Sequence, residues 1–249
     1  MFTANTCLFL SVANVSHVRQ YLADLSPITM PSCIFTVSLI FCLTRLTSAE
    51  SSCQHTESPK ESKCEGCPPM FNGKPCASTT WYNDLTKGAC GCGNEPNPPD
   101  FWTKSKYTAA GNAMMIDPGN PTNSWCVSNC GLCFELCTTG GTHNGEPASP
   151  GECIVVQLEN RCGDGYGEAS NYLCGQNMSP WDCVADPGTC QGMKNTNMYG
   201  YPAHFDLQNA ALQITDGLGW HNPEVTWEQV DCSQGDFGDW DADCYCPHA

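Results

Sequence analysis

Two aspartates, Asp84 and Asp206, are the residues of this sequence best suited to acid–base chemistry. Asp84 follows the run "TTWYN" and Asp206 lies within "AHFDL", so each carboxyl group has aromatic neighbours. Aromatic rings suit the apolar faces of sugar rings, and a few polar side chains fix the orientation of a bound molecule. Partial desolvation by such rings also raises the pKa of a carboxyl group, which a general acid needs near neutral pH. The two stretches therefore favour a sugar-binding cleft with one aspartate on each side of the sugar chain. An aspartate near a turn is more often a helix cap or a solvated charge, and each residue taken alone is open to that alternative.

Other kinds of catalytic centre have less support. The sequence contains no GxSxG, no phosphate-binding loop of the Walker type and no GxGxxG. The histidines after residue 50 are scattered, without an HxxxH or HxH pair: His55, His143, His204, His221 and His248. We therefore expect neither a metal centre nor a cofactor.

The cysteines predict a disulfide framework. Of 21 cysteines, 18 lie between Cys53 and Cys246, and an even set at this density is typical of a secreted protein. Two CxxC pairs, at 64–67 and 130–133, raise the alternative of a zinc site, but they lie much farther apart than the roughly 15–20 residues of a compact four-cysteine site. We predict up to nine disulfide bonds and no thiolate nucleophile. The single-residue gaps at 90/92 and 244/246 suit bridges to other segments.

The N-terminal residues differ from the rest of the chain. After Met30, the apolar run 33–43 has the length of the hydrophobic region of a signal peptide and is too short to span a bilayer. Small residues at 47–49 suit cleavage, although an unusual N-terminal domain is an alternative. The predicted organisation is an upstream extension plus a signal peptide starting at Met30 (1–49, removed), a cysteine-containing lead-in (50–69) and a catalytic β-barrel domain (70–249).

The charge balance restricts the partners. The formal net charge of −16 argues against nucleic acid and against an anionic membrane surface, both of which attract basic proteins. A neutral polymer or a small molecule is compatible with this charge, which also favours solubility. We expect a secreted, extracellular monomer that binds neither nucleic acid nor membrane.

The pattern of elements indicates a mainly β protein. In "HFDL" a strand would place His204 and Asp206 on one face, on a barrel surface or groove, and Phe205 and Leu207 toward the core. The best helix candidate is 107–116, and 161–200 is a long irregular stretch stapled by cysteines. Many short strands with turns between them favour a closed barrel, which leaves no open sheet edge. The strand candidates are 130–136, 152–160, 203–207, 211–215 and 224–230.

Three motifs resemble glycoside hydrolase family 45, the small secreted endoglucanases. They are "CASTTWYNDLTKGACGCG" at 76–93, "AHFDL" at 203–207 and "GWHNPEVTWEQVDC" at 219–232, and the first and third are similar to the invertebrate branch. The resemblance covers 74–246. It implies a six-stranded double-psi β-barrel with long disulfide-stapled loops and one or two short helices. It also implies hydrolysis of internal β-1,4-glucosidic bonds, with inversion at the anomeric carbon, in a β-1,4-glucan polysaccharide.

The resemblance also implies roles for individual residues. Asp84 falls at the general base, Asp206 at the general acid and Tyr82 at the central subsite, and for inversion the two carboxyl groups should lie about 6.5–9.5 Å apart. An auxiliary aspartate of the fungal branch falls at Tyr199, which is not acidic, so its role is absent or is performed by another residue. The expected substrate-binding residues are Tyr82, Thr80, Trp81, Asn160 and His204. Candidate sugar platforms are Trp81, Trp125 and Trp220, although Trp220 and Trp227 suit core positions equally well.

Two non-hydrolytic classes compete with the enzyme. Expansin-like proteins share the barrel and the "HFD" aspartate and loosen polysaccharide without cutting it, but they lack the aspartate of the first motif. A barwin-like or lectin-like binding module would not need two opposed acids. The presence of Asp84 favours the hydrolase.

Overall fold

Seven β-strands, three short α-helices and several 3₁₀ or π-helical turns occur among the described residues. The computed structural model describes residues 53, 55–93, 101–102, 104–162, 173–191 and 195–249. The predicted extension and signal peptide lie outside them. The strands are β1 (Met70–Phe71), β2 (Lys74–Tyr82), β3 (Thr108–Gly111), β4 (Cys133–Thr142), β5 (Cys153–Arg161), β6 (Ala203–Gln208) and β7 (Pro223–Val230). The helices are α1 (Ala113–Ile116), α2 (Pro180–Ala185) and α3 (Trp240–Asp243).

Six of these strands close into a ring in the order β2–β6–β3–β5–β4–β7, and β7 pairs again with β2. The β2–β6 and β3–β5 pairs are parallel, whereas the other pairs of the ring are antiparallel. The strand β1 forms a hairpin with the start of β2. Because a closed ring satisfies the backbone groups of both edges, it needs no covering layer. The ring confirms the six-stranded barrel predicted from the sequence.

Alternation along the strands fills the barrel with apolar side chains. Phe205 and Leu207 on β6 are fully buried, as are Val156 and Leu158 on β5. Phe134 on β4 packs its ring 5.5 Å from that of Phe205. Burial of each such side chain stabilises the fold by roughly 1.5–3 kcal/mol. The stable barrel therefore holds the polar side chains on its outer faces in fixed positions.

The helix predicted for 107–116 is mostly wrong. Thr108–Gly111 forms β3, between β5 and β6, and only Ala113–Ile116 is helical. All four residues of β3 are buried, and their small side chains allow the neighbouring strands to approach closely. Tertiary pairing therefore overrides the helix propensity of the two alanines.

The strand predicted for 211–215 is also wrong. Ala211 and Leu212 have left-handed backbone angles (φ of 50° and 60°), which a strand does not tolerate. The segment instead forms a 3₁₀ turn followed by a π-helical turn, and the Asn209 side chain accepts hydrogen bonds from the backbone N–H groups of Ile214 and Thr215. The strands predicted at 130–136, 152–160, 203–207 and 224–230 are present as β4, β5, β6 and β7, with shifted ends.

Nine disulfide bonds join all 18 cysteines of the range 53–246, as predicted. Neither CxxC pair closes on itself, and the close pairs 90/92 and 244/246 bridge to other segments. The bonds are Cys53–Cys67, Cys64–Cys76, Cys90–Cys130, Cys92–Cys244, Cys126–Cys246, Cys133–Cys232, Cys137–Cys153, Cys162–Cys174 and Cys183–Cys190. Within the range that the structure describes, these cysteines offer no free thiol to a metal ion.

The described part of the lead-in is attached to the barrel. Glu61 forms a backbone bridge with Thr142, while Ser62 and the Lys63 N–H group donate hydrogen bonds to the Glu224 carboxylate on β7. The disulfide Cys64–Cys76 adds a covalent link to β2, whereas Cys53–Cys67 closes a loop within the lead-in. Among the described helices, none has the length and apolar character that crossing a membrane requires.

Candidate active site

Both predicted catalytic aspartates line one open cavity of about 650 Å³. It lies where β2 ends, beside β5 and β6. The other lining side chains include two aromatic residues, two cations and an amide: Tyr82, Trp125, Lys87, Arg161 and Asn160. Residues far apart in the sequence thus meet in one cavity because β2 and β6 run side by side in parallel.

Asp206 lies on β6, on the face opposite to the core residues Phe205 and Leu207, as the alternation predicted. Its side chain is partly buried, and its Oδ1 atom accepts a hydrogen bond of 2.6 Å from the Thr80 hydroxyl group. Burial raises the pKa of Asp206 to about 6, and the negative charge of Asp84 adds to this, whereas the Thr80 hydrogen bond opposes it. A carboxyl group with this pKa is protonated in mildly acidic solution and suits a general acid.

A chain of hydrogen bonds supports Asp206 from beneath the cavity. Because the Thr80 hydroxyl donates to Asp206, it accepts from His204 Nε2 at 3.0 Å. His204 Nδ1 then accepts from the Ser78 hydroxyl at 2.8 Å, and Asn197 donates to Ser78 at 2.7 Å. Burial lowers the pKa of His204 to about 3, so the imidazole is neutral and the chain fixes its Nε2–H tautomer.

His204 therefore does not lie in the groove where the strand pattern placed it. The side chain is fully buried, and its link to the cavity runs through Thr80. Its position suits the support of Asp206 better than a contact with substrate.

Asp84 lies in the turn that follows β2 and is exposed at the cavity. Its Oδ1 atom accepts a hydrogen bond from the Thr86 N–H group, a local contact typical of an aspartate in a turn. The adjoining Leu85 has a left-handed φ of 51°. Downstream, the disulfides Cys90–Cys130 and Cys92–Cys244 fasten the segment to the rest of the domain. One acid is thus enclosed and the other is solvated, which suits one to give a proton and the other to take one.

Tyr82 connects the cavity to an acid that the sequence analysis missed. Its hydroxyl group donates a hydrogen bond to Oε1 of Glu159, which is fully buried on β5. Burial raises the pKa of Glu159 to about 8, and the charges of Asp84 and Asp206 raise it further, against the hydrogen bond from Tyr82. The alternation of apolar and polar residues along β5 does not predict that Glu159 is buried, because a polar residue in a strand usually faces solvent.

Of the remaining predicted residues, Asn160 lines the cavity, whereas Trp81 and Tyr199 do not. Asn160 lines the cavity, and its Oδ1 atom accepts from the N–H groups of Ala89 and Arg161. Trp81 is 44% exposed but is not one of the residues that line the cavity. Tyr199 lies outside the cavity too and packs against His143, with ring centroids 4.8 Å apart.

Of the tryptophans proposed as sugar platforms, Trp125 lies at the cavity and Trp220 does not. Trp125 is 44% exposed and its ring lies 5.7 Å from that of Tyr245, with Lys87 Nζ over both rings. Trp220 is fully buried, so its assignment as a platform is wrong and its alternative, a core position, is confirmed.

Known proteins with similar sequences or folds are described as endoglucanases. The family model "EXPB1-like domain 1" matches residues 77–241. An endoglucanase of Mytilus edulis is 40% identical over 173 residues, which cover 68% of this chain and 86% of that protein. Endoglucanase-5 of Hypocrea jecorina is 30% identical over 176 residues, covering 68% of this chain and 62% of that protein.

Solved structures of endoglucanases also resemble the fold. The β-1,4-D-endoglucanase Cel45A of the blue mussel Mytilus edulis has a TM-score of 0.56 at 39% identity, covering 70% of this chain and 88% of that one. A variant of the GH45 endoglucanase EG27II in complex with cellobiose has a TM-score of 0.56 at 37% identity, covering 69% and 90%. These similarities agree with the closed ring of strands and confirm the predicted double-psi β-barrel.

Proposed function

The chain belongs to the glycoside hydrolase family 45 endoglucanases, and from this premise we propose that it cleaves internal β-1,4-glucosidic bonds with inversion, using Asp206 as general acid and Asp84 as general base. The observation that supports these roles is the shared cavity, in which an enclosed Asp206 and a solvated Asp84 both lie. The proposed substrate is a β-1,4-glucan polysaccharide.

The reaction follows from the two environments. Protonated Asp206 donates its proton to the glycosidic oxygen while the bond from that oxygen to the anomeric carbon breaks. Ionised Asp84 takes a proton from a water molecule, whose oxygen bonds to the opposite face of the anomeric carbon. The carboxyl groups must leave room for this water, which requires a separation of roughly 6.5–9.5 Å. The open cavity offers space for it.

Neighbouring groups would hold the chain in place. The aromatic pair of Trp125 and Tyr245 offers a surface for an adjoining glucose unit, and Tyr82 contacts the sugar at which the bond breaks. Thr80 occupies Oδ1 of Asp206, which leaves Oδ2 free to present the proton. Such positioning lowers the barrier because the reacting groups need no further ordering.

The test is hydrolysis of carboxymethyl-cellulose with the product anomers followed by NMR. We expect the α-anomer to appear first. Asp206→Asn and Asp84→Asn should each lower kcat about 10²- to 10⁴-fold, the range of general acid–base catalysis. Asp241→Asn, at an exposed aspartate outside the cavity, is the matched control. Should Asp84→Asn keep full turnover while Asn160→Ala loses it, the base would be Asn160.

The alternative is an expansin-like protein that loosens polysaccharide without hydrolysis. The family model that matches residues 77–241 carries an expansin-type description, which gives this alternative its support. It predicts binding to cellulose with no new reducing ends. The position of Asp84 in the cavity favours hydrolysis, and the same assay separates the two.

Secretion is part of the proposal. Nine disulfide bonds in one domain are compatible with an oxidising compartment and not with a reducing cytosol. Mass spectrometry of the secreted protein would show whether the mature chain begins near Glu50.

A further inference from the structure

Two buried tyrosine–glutamate pairs occur in the described part of the barrel, and their surroundings differ. The Glu224 carboxyl group accepts hydrogen bonds from Tyr201, Ser62, Thr139 and the Lys63 N–H group. Both oxygens of this buried carboxyl group therefore have hydrogen-bond donors. Glu159, in contrast, accepts from Tyr82, and its Oε2 atom has no donor among the described residues. A fully buried carboxyl group with so few donors is stable only when it is neutral.

Glu159 also occupies a special place on its strand. In the pairing of β3 with β5, Ala109 lies opposite Leu158 and Ala110 opposite Asn160, so Glu159 is the extra residue of a β-bulge. A bulge redirects side chains and often lies beside an active site. Here it turns Glu159 toward Tyr82 while the next residue, Asn160, lines the cavity.

The same bulge supports the segment that follows Asp84. The Cys90 N–H group donates to the Glu159 carbonyl oxygen at 3.1 Å, and the Ala89 N–H group donates to Asn160 Oδ1 at 2.8 Å. Gly88 lies so close that an added Cβ atom would be 2.4 Å from Glu159 Oε2. One buried side chain thus touches both Tyr82 and the turn between Asp84 and the disulfide-bonded Cys90.

We propose that Glu159 is a positioning residue of the active site, whose carboxyl group fixes the Tyr82 hydroxyl from below and whose bulge supports the turn that bears Asp84. This inference rests on the proposed function, because it assigns Tyr82 and Asp84 to the reaction. Glu159 itself does not touch the substrate, since it is fully buried.

The charges around Glu159 explain why it must be neutral to act this way. Tyr82 faces it from β2, Asp84 from the following turn and Asp206 from β6, and the cations Lys87 and Arg161 line the same cavity. An ionised Glu159 would add a further negative charge beside Asp84 and Asp206. The pKa of about 8 keeps it protonated over the range in which Asp206 can act as an acid.

Kinetics of four variants test the inference. Glu159→Gln stays neutral and keeps an acceptor for Tyr82, so kcat on a soluble β-glucan should stay within about threefold of wild type. Glu159→Leu removes the acceptor and should lower kcat about tenfold or more. In the Tyr82→Phe background, Glu159→Leu should cost less than about threefold, since contacting residues are not additive.

The second Tyr–Glu pair supplies the control. Glu159→Leu and Glu224→Leu should both lower Tm, but Glu224→Leu should leave kcat per folded molecule unchanged, because Glu224 lies outside the cavity. A loss of kcat in Glu159→Leu that Glu224→Leu does not share separates positioning from plain destabilisation.

A stability measurement tests the neutral state without any activity. The folded-state pKa of about 8 exceeds the ordinary 4.5, so Glu159 favours folding below pH 4.5 and this contribution is lost as pH rises toward 8. The Tm of wild type should therefore fall across this range, and Glu159→Gln should reduce the fall.

The outcomes decide separately on the inference and on the function. A Glu159→Gln enzyme as impaired as Glu159→Leu, or additive losses with Tyr82→Phe, would overturn the positioning role. If the wild-type protein hydrolyses no glucan, the proposed function fails. The positioning role is then decided by the affinity of the Glu159→Leu protein for cellotetraose. Weaker binding than wild type supports the positioning of Tyr82, and equal binding overturns it.

Discussion

Asp206 is partly buried on β6 beside Thr80, whereas Asp84 is exposed in a turn, and this difference supports the roles proposed for them. Both could be predicted from the sequence because aromatic residues precede them and because their motifs resemble those of a known family. Glu159 could not, since its inward position depends on a bulge between two strands that are remote in sequence. His204 was expected in the groove because alternation gives the face of a strand but not the depth of a side chain.

At the residue scale, the pH dependence of hydrolysis should depend on Thr80. The general acid must be protonated, so kcat/KM should fall as pH rises through about 6, the pKa of Asp206. The Thr80 hydrogen bond lowers that pKa, so Thr80→Val should raise it and move the falling limb to higher pH. The measurement is a kcat/KM profile on soluble β-glucan between about pH 4 and 8.

Thr79→Val is the control for this profile. Thr79 precedes Thr80 on β2, and its hydroxyl group donates to the Pro223 carbonyl oxygen instead of Asp206. Its variant should lose stability without a shift of the limb. An unmoved limb in Thr80→Val, or a shift to lower pH, would contradict the assignment of Asp206 as the acid.

At the scale of elements, β6 could be predicted well and β3 could not. The alternating "HFDL" has a clear period of two, which matches a strand with one face in the core. The "TAAG" of β3 has no such period, and its conformation is set by pairing with β5 and β6. The loop around Asn209 could not be predicted either. Its side chain stabilises a turn, whereas the apolar residues in 211–215 resemble the pattern of a strand.

Gly88, in the segment after Asp84, lies against the bulge of β5, and a substitution there tests whether this contact matters. Gly88→Ala would place a methyl group against Glu159 Oε2, the Glu159 carbonyl oxygen and Asn160 Cβ, at 2.4, 2.7 and 3.0 Å. The turn must then move, so we expect kcat to fall at least tenfold and stability to drop by about 1–3 kcal/mol, as for overpacking.

Gly119→Ala is the matched control, because an added Cβ atom there would meet only Asp117 Oδ1 at 3.8 Å. It should keep activity and Tm. Wild-type kcat in Gly88→Ala would show that the turn does not need its contact with β5.

At the scale of the whole molecule, the disulfides connect the active site to the chain ends of the domain. Cys92–Cys244 and Cys126–Cys246 fasten segments beside the cavity to the C-terminal residues, and the backbone N–H of Tyr245 bonds to the Gly91 carbonyl oxygen. The count of cysteines predicted the number of bonds, but not the pairing, because spacing alone leaves many connectivities open.

The disulfide framework can be tested by counting free thiols. Thiol titration of the secreted protein in denaturant should find less than one free thiol per chain, and after reduction it should find the 18 cysteines of the range 53–246. Reduction should also abolish hydrolysis, because loss of a native disulfide typically costs about 2–5 kcal/mol and the turn after Asp84 depends on two of them. The reduced and denatured sample is the internal control for the titration. Several free thiols in the unreduced protein would contradict both the pairing and the argument for an oxidising compartment, while full activity after complete reduction would show that the barrel alone holds Asp84 in place.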